Sequence, residues 1–109
     1  MVEIPDKHVQ HAFDVLRSGE HAQAKAAYEF SEKHLKAVVA RLSVSSNAAS
    51  AAQREAEALA SDTYEKALTA FRLVAETYFK ERDRREAASA IIEAWRTIQS
   101  DLRAAGKVG

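Results

Sequence analysis

The segment KERDRRE, residues 80–86, holds the densest set of groups able to do chemistry. Lys80, Arg82, Arg84 and Arg85 place four cations within two helical turns, and Arg72 lies two turns earlier. Such a set can neutralise phosphates along a nucleic-acid strand. Glu81, Asp83 and Glu86 are interleaved with them, and Glu81 precedes Arg85 by four residues, the favourable order for a helical ion pair. The same residues therefore also describe a solvated, self-neutralised stretch of helix, as do Glu29 with Lys33 and Glu32 with Lys36. His8 and His11 lie one turn apart with Asp14 a turn beyond, a spacing that presents metal ligands on one helix face. His21 and His34 are too scattered to complete that set, so surface or capping roles are expected and no metal site. Trp95 beside Arg96 has the parts of a base-stacking platform or an interface anchor. Its spacing with Ile91, Ile98 and Leu102 places it instead in an apolar seam, and Tyr28, Tyr64 and Tyr78 read the same way.

The inventory for catalysis is poor. There is no glycine-rich phosphate loop, no HExxH and no GxSxG, and most carboxylates sit three or four residues from a cation. A non-enzyme is expected, with no cofactor and no small-molecule substrate. Sixteen basic residues balance sixteen acidic ones, so no whole-molecule field draws in DNA or a membrane surface. The chain has no cysteine, which removes disulfides, thiolate metal sites and a thiol nucleophile and suits a reducing compartment. No stretch has the length to cross a bilayer and the first ten residues lack the apolar run of a secretion signal, so a cytoplasmic protein is expected.

The elements that carry these residues are helices. Alanine, the best helix former, makes up much of the 47% hydrophobic content, and only three glycines and one proline interrupt the chain. Val9, Ala12, Phe13 and Leu16 form one face of a short helix over about residues 5–17, with Pro5 in its first turn and Gly19 at its end. From Glu20 the apolar positions Ala24, Tyr28, Ser31, Leu35, Val38 and Leu42 alternate steps of three and four. The alternation continues through Ser45, Ala49, Ala52, Ala56 and Leu59. One long helix over about 20–60 is expected, weakest across 43–50, where serine and asparagine compete for backbone hydrogen bonds. Asp62 with Glu65 has the form of an N-cap and capping box. A second long helix follows over about 62–105, with Tyr64, Leu68, Phe71, Ala75 and Tyr78 on its stripe. After a one-residue slip the stripe resumes as Ala88, Ile91, Trp95, Ile98 and Leu102, and Gly106 is the expected stop.

Two long helices joined by a short turn must fold back on each other. The expected fold is a single all-α domain, a short N-terminal helix packed across the open end of a long antiparallel, coiled-coil-like hairpin. Pairing outward from the turn sets Ala56, Ala52 and Ala49 against Leu68, Phe71 and Ala75, Leu35 against Ala88, and Tyr28 near Trp95. A disordered serine-alanine linker between two separate helices is the competing arrangement. Phe30, Val39, Val44, Leu73, Val74 and Phe79 fall off the main stripes, and a second apolar face on a helix implies a partner helix. A homo-oligomer is expected, with Phe30, Val39, Leu73, Phe79 and Trp95 at its interface.

Three stretches, QAKAAYEFSEKHLKAV, QREAEALASDTYEKAL and AIIEAWRTIQSDLRAAGK, resemble small alanine-rich helical proteins of tailed phages and prophages. The most specific mark is Ile92, Glu93, Ala94, Trp95 and Arg96 followed by Arg103. The resemblance implies an accessory protein of DNA recombination or replication that acts on single-stranded DNA or on a recombinase. Its oligomer would align Arg72, Lys80, Arg82, Arg84 and Arg85 along one surface. The other function class left open is a protein-interaction module, an adaptor, assembly factor or inhibitor that offers its surplus apolar face to a partner.

Overall fold

A computed structural model describes residues 3–108. Four helices follow one another, α1 (Asp6–Arg17), α2 (Glu20–Ser45), α3 (Ala51–Leu59) and α4 (Asp62–Val108), and no strand occurs among the described residues. The fold is all-α, a short N-terminal helix and a helical hairpin. The residues group into two compact units, one built from the N-terminal segment through His21 together with Lys80 onward, the other from Ala22–Phe79.

In the first unit, α1 buries Val9 and Ala12 of the expected stripe, with Val15 from outside it, while Phe13 and Leu16 are only partly buried. Val9, Ala12 and Val15 are buried, and Ala12 and Val15 join Ala88 and Ile92 of α4 in a core flanked by Phe13, Leu16 and Ile91. The alanines at 12 and 88 leave room for close backbone approach, and Ile92 fills the space between. The Phe13 ring meets Trp95 edge to face at 6.1 Å, a favoured aromatic geometry. Pro5 occupies the N-cap position rather than the first turn, and its carbonyl accepts from the amides of His8 and Val9. Ser18 closes α1, its hydroxyl donating to the Val15 carbonyl at 2.9 Å.

In the second unit, Tyr28 of α2 centres an aromatic cluster from α4, with Tyr78 stacked at 4.8 Å and Phe71 and Phe79 at 5.5 and 5.8 Å. This overturns the pairing drawn from the heptads. Tyr28 packs on Phe71, Tyr78 and Phe79, Trp95 on Phe13, and Ala88 on Ala12 and Val15 of α1. The cause is where α2 stops. It ends at Ser45, whose hydroxyl donates back to the Arg41 carbonyl, and the Ala48 amide then turns onto the Ser46 hydroxyl. Ser50 restarts the chain as the N-cap of α3, accepting from the Gln53 amide at 3.1 Å. Arg54 reaches back to the Ala48 carbonyl and Ser46 donates to Glu57, so the connection is tied at both ends. The expected weak region at 43–50 is thus a break at 46–50. Ala49, Ala52 and Ala56 are exposed instead of facing Leu68, Phe71 and Ala75, and α3 buries Ala58.

Two further boundaries differ. The cap of α4 is Ser61, one residue before Asp62, because its hydroxyl accepts from the Tyr64 amide. Asp62 and Glu65 instead place carboxylates in the first turn, where they complement the helix dipole. Gly106 does not stop α4, which runs to Val108 with no left-handed residue among those described.

Candidate functional site

The cations of residues 80–86 project from α4 in the first unit and are largely matched by neighbouring acceptors. Arg84 donates to Glu20 at 2.6 Å and lies 3.6 Å from Glu81; Arg82 meets Asp83 at 3.3 Å, and Arg85 lies 3.4 Å from the His21 ring. Glu81 takes Arg84, three residues on, rather than Arg85. These are exposed contacts worth about 0–1 kcal/mol each, so they orient the guanidinium groups without locking them. Lys80 also has an interaction partner. Arg72 belongs to the second unit, where it is exposed. Among the described residues no group of three or more His, Cys, Asp or Glu is arranged to hold a metal ion. Among the described residues no helix is long and apolar enough to cross a membrane.

The apolar candidates separate by exposure. Phe30 is 70% exposed and Leu73 64%, whereas Phe79, at 40%, already lies against Tyr28 and Tyr78. Val39 and Trp95 are half-buried. Phe30 rises from α2 with its ring parallel to that of His34, centroids 6.1 Å apart. One turn before it, Ala27 and Ala24 form the floor of a depression of about 240 Å³ whose α4 wall is Leu73, Val74 and Thr77. None of these five residues carries a charge. The depression was not legible in the sequence, because it exists only once α2 and α4 are in register; the small residues Ala24 and Ala27 beside an off-stripe aromatic were its one signal. A second depression, in the first unit, brings Glu3, Ile4 and Asp6 against Trp95, Ile98 and Leu102.

Comparison with family models, curated proteins and solved structures finds no match. The functional reading therefore rests on the surfaces themselves.

Proposed function

We propose that the chain is a non-catalytic, self-associating protein-interaction module, an adaptor, assembly factor or inhibitor of phage type that acts in the cytoplasm. The contrast between its two candidate surfaces carries this reading. Arg82 and Arg84 have carboxylate acceptors in Asp83, Glu20 and Glu81 within the chain, while Phe30 and Leu73 have their side chains largely in water. Exposed apolar side chains beside a concave surface mark a site whose favourable contacts are made with another chain. Zero formal charge fits that role, since protein association then meets no long-range repulsion.

A second reading keeps the DNA-recombination accessory, contacting single-stranded DNA or a DNA-processing protein. Its support is that Arg82, Arg84 and Arg85 are exposed on neighbouring turns, and that surface ion pairs are weak enough for a phosphate to replace a carboxylate. Titration of a labelled single-stranded oligonucleotide, followed by fluorescence anisotropy at low and moderate salt, separates the two. The module reading expects no binding at low salt. Affinity that falls steeply with salt and disappears in Arg84→Glu/Arg85→Glu would establish the DNA reading in its place.

A further inference from the structure

We infer that the depression between the N-terminal segment and α4 in the first unit is a docking site for one arginine side chain of a partner protein, carried on a segment that is otherwise neutral or acidic. The inference rests on reading the chain as an interaction module and gives that module a charged contact, separate from Phe30 and Leu73. The hollow, about 320 Å³, is bordered by Glu3, Ile4 and Asp6 on one side and by Trp95, Ile98 and Leu102 of α4 on the other. Its volume lies at the lower end of the range for ligand clefts, about 300–1,000 Å³.

The lining selects its occupant. A guanidinium is a planar cation on an apolar stem, and it both pairs with carboxylates as a fork and stacks on an indole. Here two carboxylates, an indole and an aliphatic wall border one hollow. Both carboxylates are exposed, and no hydrogen bond or ion pair engages either among the described residues. Their two charges outweigh the roughly half-unit positive charge at the α1 N-terminus. Phe13 meets the indole of Trp95 edge to face, so the ring is positioned before anything docks. Leu102, 43% exposed, offers apolar surface to the methylenes of the stem.

Charge also disfavours other occupants. A phosphate or an acidic side chain in the hollow meets two carboxylates, and a purely apolar segment strips water from Glu3 and Asp6 without pairing them. Past Trp95 the surface changes sign, since Arg96 and Arg103 line the adjoining hollow with Trp95 and Gln99. A polybasic tail laid along α4 runs into these guanidinium groups. A single arginine with neutral or acidic neighbours meets none of these obstacles.

The test titrates the full chain with a tripeptide of arginine between two alanines, blocked at both ends, and with its leucine and glutamate counterparts. Occupancy is followed by emission of Trp95, the only tryptophan, and by NMR chemical shifts of residues 95–102. The arginine peptide is expected to saturate in the millimolar range, and the other two to give no saturable response. Glu3→Gln/Asp6→Asn should weaken the arginine peptide about fivefold, the value of two exposed ion pairs. Glu29→Gln/Glu32→Gln, an equal change of net charge at exposed positions of the second unit, leaves its affinity unchanged. Glu3 precedes α1, so Glu3→Gln alone, expected to cost about twofold, keeps the site testable where the double variant loses helix. No saturable response to the arginine peptide overturns the inference, as does an equal response to the leucine or glutamate peptide, or an affinity indifferent to Glu3→Gln/Asp6→Asn. Those outcomes leave the module reading standing. Oligonucleotide binding that disappears in Arg84→Glu/Arg85→Glu overturns the module reading, and the arginine titration still decides this site.

Discussion

Truncation of Ile92 to alanine tests the core of the first unit directly. Ile92 is 3% exposed and packs with Ala12, Val15 and Ala88. Removing three buried carbons at about 0.8 kcal/mol each costs about 2.4 kcal/mol in transfer free energy. If roughly half of the vacated space persists, some 40 Å³ at about 24 cal/mol per Å³ adds about 1 kcal/mol. The alanines at 12 and 88 cannot extend into the gap, so the higher part of this range applies, about 3–3.5 kcal/mol. Small domains have only about 5–15 kcal/mol of stability in all. The assay is denaturant unfolding followed by helical ellipticity and by emission of Trp95, the only tryptophan in the chain. Its ring touches Phe13, so its emission reports whether α1 is docked on α4. Both signals should shift to lower denaturant together. A loss below about 1 kcal/mol with unchanged Trp95 emission would refute the packing of α1 on α4.

Ser50→Ala removes the side-chain acceptor for the Gln53 amide and should cost about 1 kcal/mol; hydrogen exchange should rise over 51–59 before it rises over α2. A double-mutant cycle on Glu20 and Arg84, 57% and 41% exposed, should give a coupling energy below about 1 kcal/mol, falling as salt is added. A larger, salt-insensitive coupling would show that this ion pair is a structural clamp rather than an exchangeable surface contact.

The helical class and the first stretch of the α2 stripe were readable from the sequence because they rest on large residues. Ala24, Tyr28, Ser31, Leu35, Val38 and Leu42 are all buried or half-buried, and a period of 3.6 with tyrosine and leucine on it admits one facing. From Ser45 to Ala56 the same period was carried by serine and alanine, which fit any register and so specify none. There the serine hydroxyls decided the outcome, by donating to carbonyls and capping α3, and whether a hydroxyl caps or stays in the helix depends on neighbours that spacing alone does not reveal. The pairings were drawn for a continuous helix, so the break at 46–50 displaced them, including Tyr28 with Trp95. The basic residues were legible as types, and Phe30 and Leu73 as off-stripe positions. The partners of Arg84 and Arg85 were not, since Glu20 and His21 come from another helix.

The two units differ in how the chain closes them. The second is a continuous segment, Ala22–Phe79, complete as soon as that stretch has been synthesised. The first joins α1 to a part of α4 that is made much later, so Ala12 and Val15 leave the ribosome long before Ala88 and Ile92 can cover them. Such long-range closure is slow compared with local helix pairing, and it makes α1 a late addition to an already folded hairpin. A nascent chain halted before Ala88 would carry an amphipathic helix with its apolar face bare, an open target for proteases and chaperones. Docking of α1 thus separates finished chains from interrupted ones.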